Sequence, residues 1–159
     1  MSHAIALDDW LKATVDAASE FAATTLGDSL CVAEPGSKMS RDLTGCFVAL
    51  VGDEGALQIG LAANPAGCQI LAQALFASDE VLSDEDVSDA LGEIANIIAG
   101  GVKKRMATVQ LSLAIGLPIV MDGHLRLAER QQMVTSEVRL GQVPVRLLIV
   151  GNKEQPEIG

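Results

Sequence analysis

The chain has 159 residues and a net charge of −10, and its residues are 49% apolar, 20% charged and 3% aromatic. This length and composition predict one globular domain with an aliphatic core. The scarcity of aromatic residues excludes a base-stacking platform for single-stranded nucleic acid. Only eleven Lys and Arg residues are present, which is too few for a basic phosphate-binding surface. We therefore expect no nucleic-acid partner.

Neither a membrane span nor a secretion signal is apparent. No run approaches the roughly 20 apolar residues of a span, and residues 1–10 lack a basic stretch followed by an apolar one. The three cysteines, Cys31, Cys46 and Cys68, are too few and too widely spaced for a disulfide framework or a zinc site. His124 has no Cys or His at ligand spacing. We predict a cytoplasmic protein without membrane contact or a metal site.

The chain is predicted to begin with an amphipathic helix over residues 8–26, which starts at acidic residues and ends at Gly27. Residues 28–44 are rich in Ser, Gly and Pro and predict a loop with a short strand at residues 30–33. Apolar runs at 47–51 and 57–61 flank a glycine-rich turn and predict a hairpin.

Two more helices are predicted. Asn64-Pro65 combines a capping residue with proline at the first helical position, and the helix extends to about Phe76. Ser83 caps a longer helix that continues to about Met106. Three extended segments follow, at 111–121 (interrupted by Gly116 and Pro118), 133–140 and 143–150.

Segregation of the helices from antiparallel hairpins indicates an α+β fold. We predict a single domain over residues 1–151 and a flexible C-terminal tail over 152–159. The strands at 133–140 and 143–150 are aliphatic and alternating, and they are candidates for pairing across a two-fold axis.

The longest helix has two distinct sides. At about 100° per residue, its buried stripe consists of Val87, Leu91, Ile94 and Ile98. The opposite side carries polar and small residues: Asp89, Glu93, Asn96, Gly100 and Lys103. Glu93 and Asn96 are three residues apart and therefore neighbours, so both side chains can approach one object from one direction.

Glycines precede and follow Asn96 by one turn. Gly92 and Gly100 lie four residues before and after it, and each costs about 1 kcal/mol relative to alanine inside a helix. Access provides a reason, because an amide without bulky neighbours can enter a partner's cleft. Alternatively, Gly100 and Gly101 end the helix, and Lys103 is a last-turn charge that complements the helix dipole.

The segment Asp89-Ala-Leu-Gly-Glu93-Ile-Ala-Asn96, followed by twenty-one residues and Pro118, resembles a motif of the CheC/CheX/FliY phosphatases. In that motif, Asp or Ser, three residues, Glu, two residues and Asn precede a Pro by about twenty-two residues. The resemblance extends over roughly residues 8–150. It implies a CheX/CheC-like two-layer fold, with an antiparallel sheet packed on long helices in two pseudo-repeated halves. Asp16 and Glu20, with Ala23 in the place of the Asn, fit a degenerate first copy of the motif; alternatively, they are acidic residues that merely occupy a solvated helix face.

The resemblance also implies a function, namely dephosphorylation of the phospho-aspartate of a CheY-like receiver domain. Asn96 then orients the attacking water and Glu93 pairs with the receiver's lysine. The phosphatase needs no cofactor of its own, because the receiver supplies Mg²⁺. Receiver docking is expected at Asp89, Gly92, Gly100 and Lys103, and a homodimer is expected as in the CheX branch. The alternative is a non-catalytic receiver-binding or signalling adaptor of the same fold.

Overall fold

A computed structural model describes residues 5–32, 43–53, 55–108, 112–123 and 126–152. His3, His124 and residues 153–159 of the predicted tail lie outside these ranges. Within them the chain forms three α-helices, one π-helical turn and seven strands. Their bounds are α1 Leu7–Phe21, the π-helical turn Ala22–Leu26, β1 Leu30–Val32, β2 Thr44–Gly52, β3 Gly55–Ala63, α2 Pro65–Phe76, α3 Asp84–Arg105, β4 Ala114–Ile115, β5 Ile119–Asp122, β6 Gln131–Leu140 and β7 Val143–Asn152.

The strands form one antiparallel sheet in the order β1-β6-β7-β3-β2, and β4 and β5 both pair with the outer edge of β2. The two hairpins, β2–β3 and β6–β7, are joined by the pairing of β3 with β7. Alternate residues of the strands, such as Val48 and Leu147, are buried in one core together with Phe21 of α1 and Ile94 of α3. The fold is therefore the predicted α+β arrangement of an antiparallel sheet and helices.

The helix boundaries follow from local capping. Asn64 Oδ1 accepts a hydrogen bond of 2.7 Å from the Gly67 backbone N–H, with Pro65 as the first helical residue. Ser83 Oγ accepts one of 3.1 Å from the Asp86 backbone N–H. Gly27, at φ 65°, ends the π-helical turn that extends α1. These three predicted boundaries are confirmed.

The strands differ from the predicted ones in their extent. The β2–β3 ladder runs from Thr44 opposite Ala63 to Gly52 opposite Gly55, so both strands are longer than their apolar runs. The extended segment at 111–121 instead contains two short strands, β4 and β5, which are separated by a stretch that includes the predicted interruptions, Gly116 and Pro118. Strand β7 continues through Asn152, which the prediction had assigned to the tail.

The position of β7 contradicts one predicted route to a dimer. Strand β7 lies between β6 and β3 and is paired on both edges, so it is not available to pair across a two-fold axis. The homodimer itself stays a prediction. None of the helices in the described part of the chain is long and apolar enough to span a bilayer.

Two of the cysteines are buried free thiols, as their apolar surroundings predict. Cys46 and Cys68 are both buried, and this burial raises the pKa of each thiol to about 11. At neutral pH both are therefore protonated and behave as small apolar core residues.

Candidate functional site on helix α3

Helix α3 is a 22-residue helix with complementary charges at its two ends. Its first turn carries Asp84, Glu85 and Asp86, and its last turn carries Lys103, Lys104 and Arg105. Acidic residues at the N-terminus and basic residues at the C-terminus both interact favourably with the helix dipole. The sequence therefore favours a helix that continues well past Gly100 and Gly101, and the alternative that these glycines end it is wrong.

One side of α3 is in the core and the other faces solvent, as predicted. Leu91, Ile94 and Ile98 are buried in the core, whereas Glu93 and Asn96 are both exposed. Being three residues apart on a helix, these two side chains are neighbours. Neither forms a hydrogen bond or ion pair with any other part of the chain that the structure describes.

The pair is flanked along the helix by two exposed charged residues and by a glycine with open space beside it. Asp89 and Lys103 are exposed on the same side of the helix. Gly100 is partly exposed, and a Cβ built on it would have nothing within 4 Å. A partner can therefore approach the helix backbone one turn beyond Asn96, as the access interpretation of Gly100 requires.

Gly92 has a different role from the one predicted. It is buried, and a Cβ built on it would lie 3.2 Å from Pro118 Cγ and 3.5 Å from Pro118 Cβ. The proline ring covers this glycine, so the expectation that Gly92 leaves open space beside Asn96 is wrong. Gly92 instead allows the β4–β5 segment to pack closely against α3 immediately before Glu93.

Glu93 and Asn96 offer a partner a negative charge and a neutral amide side by side. A carboxylate accepts hydrogen bonds or pairs with a cation, and a primary amide offers two donors and one acceptor without titrating. No group of three or more His, Cys, Asp or Glu side chains suited to a metal ion occurs in the described ranges. The arrangement suits holding a water molecule and a cationic group that a partner supplies.

The corresponding acid of the first helix is already paired within the chain. Glu20 Oε2 lies 2.6 Å from Arg105 Nη2 of α3. The Arg105 hydrogen bond, and next its charge, lower the pKa of the Glu20 carboxyl. Asp16 is exposed. Glu20 thus holds α1 to the end of α3, which is a structural use of this acid; the repeat of two halves stays a prediction.

Sequence reasoning missed an apolar surface on the β5 edge of the sheet. Leu117, Ile119 and Met121 are large exposed apolar residues, while Pro118 and Val120 between them are partly buried. This period-two alternation of exposed and partly buried residues is typical of an extended segment. It is not visible in the sequence, because all five residues are apolar.

A family model described as chemotaxis phosphatase CheX matches residues 44–138. The match covers more than half of the chain and includes all of α3 as well as Pro118. The chain belongs to the CheX family. No curated protein sequence is similar enough to count as a match.

Solved structures share the CheX-family fold along most of the chain. Chemotaxis protein CheX from Vibrio vulnificus has a TM-score of 0.73 and 17% identity, with 92% of this chain and 98% of that chain covered. A CheC-like superfamily protein from Shewanella sp. PV-4 has a TM-score of 0.72 and 17% identity, covering 89% and 96%. A CheX–CheY–BeF3–Mg²⁺ complex from Borrelia burgdorferi gives 0.68 and 18%, covering 92% and 99%.

Proposed function

We propose that this CheX-family chain is a phosphatase that hydrolyses the phospho-aspartate of a CheY-like receiver domain, with Glu93 and Asn96 as its working pair. The observation that carries the proposal is the exposure of an acid and an amide one turn apart on α3, with no bonding partner in the described part of the chain. Membership of a family described as a chemotaxis phosphatase supports the reaction. The complex of a CheX relative with CheY supports the class of substrate.

Asn96 orients the attacking water in this proposal. The amide oxygen accepts a hydrogen bond from the water, whose oxygen attacks phosphorus in line with the bond to the aspartyl oxygen. That bond breaks, the aspartate carboxylate is regenerated and inorganic phosphate leaves. An acyl phosphate is already activated, so positioning the nucleophile is the main contribution that the phosphatase has to make. The amide is suited to this role because it offers an acceptor and two donors without titrating.

Glu93 fixes the docking position by pairing with the receiver's lysine. The receiver also supplies the Mg²⁺ ion, so the chain needs no cofactor of its own. Asp89 and Lys103, exposed on the same side of α3, contribute weaker charge contacts at the rim, since exposed ion pairs stabilise a complex by only about 0–1 kcal/mol. Gly100 leaves room for the receiver against the helix backbone.

The test is the decay rate of a phosphorylated receiver. A CheY-like receiver from the same organism is phosphorylated with acetyl phosphate, the donor is removed, and decay is followed with wild type, Asn96→Ala and Glu93→Ala. We expect Asn96→Ala to lower the catalysed rate on the order of 10²-fold, because a misplaced nucleophile costs about that much. Asp9→Ala is the matched control: this carboxylate is exposed in the first turn of α1, and its removal leaves the rate near wild type.

The same experiment decides against the adaptor alternative. Catalysis predicts that Asn96→Ala loses the accelerated decay while still binding a receiver held in its activated form by beryllofluoride. An adaptor binds that form equally well but leaves the decay rate unchanged in wild type. If wild type accelerates the decay of no receiver from its own organism, the phosphatase proposal is wrong.

We also propose that the chain forms a homodimer. The resemblance to the CheX branch of the family, from which a homodimer is expected, supports this, and two-fold dimers are the commonest soluble oligomers. Light scattering at micromolar concentration should give twice the monomer mass; a monomer mass contradicts the proposal.

A further inference from the structure

Helix α3 has one large apolar side chain that folding leaves uncovered. Ile97 is 38% exposed, and among the residues that the structure describes it belongs neither to the core nor to the partly buried apolar residues packed against the core. The other large apolar residues of the helix all belong to one of these two groups, namely Val87, Leu91, Ile94, Ile98 and Val102. The exposure of Ile97 is therefore peculiar to this one position of α3.

Ile97 completes a compact patch with the proposed site. The patch occupies positions i, i+3, i+4 and i+7 of the helix and consists of Glu93, Asn96, Ile97 and Gly100, all of them exposed or partly exposed. Residues three and four apart are neighbours on a helix surface, and four residues at this spacing enclose a hole of the kind that receives one side chain in helix packing. We name this patch the α3 hole. A partner that contacts Glu93 and Asn96 together therefore also meets Ile97.

Gly100 leaves Ile97 uncovered on its C-terminal side. Helical side chains lean toward the N-terminus, so each one covers the turn that precedes it. A side chain at position 100 would accordingly lie over Asn96 and Ile97, whereas the glycine has nothing within 4 Å of its Cβ position. By the same rule Ile97 leans over the turn that holds Glu93. The α3 hole is thus open at Gly100, apolar at Ile97 and negatively charged at Glu93.

This order of groups suits the side chain of a lysine. A lysine carries its ammonium on a flexible four-carbon stem, and such side chains bury the stem along apolar surface. A lysine that enters past Gly100 can lay its stem on Ile97 and reach the Glu93 carboxylate, which belongs to a residue about 6 Å further along the helix axis. An aliphatic side chain beside the ion pair also excludes water, and an ion pair shielded from water is stronger than an exposed one.

We infer that Ile97 packs against the aliphatic stem of the receiver lysine with which Glu93 pairs, and that it thereby determines the affinity of docking. This inference rests on the proposed function and adds an apolar contact to it. Ile97 takes no part in the chemical step, which belongs to Asn96. Its contact is the same before and during hydrolysis, so it contributes to KM and not to kcat.

The experiment compares Ile97→Val with Ile97→Thr in the decay of the phosphorylated receiver. Valine and threonine are both β-branched, so the two variants differ by one methyl group against one hydroxyl. We expect Ile97→Val to raise KM about threefold and Ile97→Thr about tenfold or more, both at unchanged kcat, because the lysine stem would strip water from the hydroxyl. The Kd for the beryllofluoride-activated receiver should rise by the same factors.

Val51→Thr is the matched control. It makes the same exchange of a methyl group for a hydroxyl at a residue that is 46% exposed. Val51 follows the buried Leu50 in β2 and therefore lies on the face of the sheet away from the helices. Its KM should equal that of wild type. Urea unfolding should give nearly the same midpoint for Ile97→Val and Ile97→Thr, because the side chain at this position is outside the core.

A double-mutant cycle tests the link between Ile97 and Glu93. In a Glu93→Ala background the lysine is no longer held over Ile97. The substitution Ile97→Thr should therefore raise the Kd for the activated receiver by a clearly smaller factor than it does with Glu93 present.

Three results overturn the inference. One is an equal KM and an equal Kd in Ile97→Val and Ile97→Thr. Another is a lowered kcat at constant KM in Ile97→Thr, which assigns the residue to the chemical step. A third is full additivity of Glu93→Ala and Ile97→Thr.

Failure of the proposed function looks different. Wild type would then bind the activated receiver without accelerating the decay of the phosphorylated one, and the Kd values of the Ile97 variants would still decide whether Ile97 contributes to docking. A wild-type protein that binds no receiver refutes both proposals.

Discussion

Two adjacent glycines of α3 provide a stringent test of how the helices pack. A Cβ built on Gly101 would lie 2.8 Å from the Cβ and 3.6 Å from the Cα of Ala17 in α1. A Cβ built on Gly100 would have nothing within 4 Å. The substitutions Gly100→Ala and Gly101→Ala add the same methyl group to neighbouring positions of one helix, so they differ only in surroundings.

The magnitudes follow from two opposing effects. Each substitution gains about 1 kcal/mol because alanine is the better helix former. At position 101 the new carbon is about 1 Å inside the usual 3.5–4.0 Å separation of carbon atoms. The opposing atom is a Cβ fixed to the α1 backbone, so the helices must separate, and such overpacking costs about 1–3 kcal/mol. We expect Gly100→Ala to stabilise by about 1 kcal/mol and Gly101→Ala to be neutral or to destabilise by up to about 2 kcal/mol.

Equilibrium urea unfolding followed by circular dichroism measures both variants. A shift of 1 kcal/mol corresponds to about 2–4 °C in Tm for a chain of this size. The m-values should agree, so that the midpoints report stability directly. The reasoning about α1 and α3 is refuted if Gly101→Ala is as stable as Gly100→Ala. In the phosphatase assay the proposed docking predicts that Gly100→Ala is slower than wild type despite its higher stability, because the methyl group would occupy the space that the receiver needs against α3.

Three further predictions concern the cap, the ion pair and the thiols. Ser83→Ala should destabilise the fold by about 1 kcal/mol in urea unfolding, because the Asp86 N–H loses its acceptor, and Ser83→Gly by only a few tenths. The Glu20 carboxyl, titrated by NMR, should have a pKa below 4.5 that rises in Arg105→Ala. Because folding lowers this pKa, the ion pair stabilises the folded protein at pH values above the pKa of the unfolded state. This stabilisation is lost as the pH falls through the pKa of the folded state. In a Cys31→Ser background, Cys46 and Cys68 should react with a thiol reagent at pH 8 only after unfolding, since burial raises both pKa values to about 11.

Features encoded by neighbouring residues were predictable from the sequence. The starts of α2 and α3 each depend on a cap that reaches only three residues along the chain, from Asn64 to Gly67 and from Ser83 to Asp86. The two sides of α3 follow from helical periodicity alone, which is why Glu93 and Asn96 were correctly predicted to face away from the core.

Features that depend on distant residues were not predictable. The pairing of β3 with β7 joins Ile59 to Ile149, and nothing in either apolar run specifies the other. The Glu20–Arg105 ion pair spans 85 positions and exists only because α1 lies against α3. Gly92 was misread for the same reason. A glycine that accommodates a proline and a glycine that leaves open space are identical in sequence, and only the position of Pro118 distinguishes them.

The three glycines of α3 therefore have different causes, and the difference bears on function. Gly92 and Gly101 are explained by folding, since Pro118 and Ala17 occupy the space that a side chain would need. Gly100 weakens the helix by about 1 kcal/mol relative to alanine and receives no packing contact in return. Natural sequences tolerate such local conflicts mainly at functional positions. Gly100 lies one turn after Asn96 on the exposed side of α3, with nothing within 4 Å of where its Cβ would be, and the proposed docking of a receiver against this helix gives that open space a use.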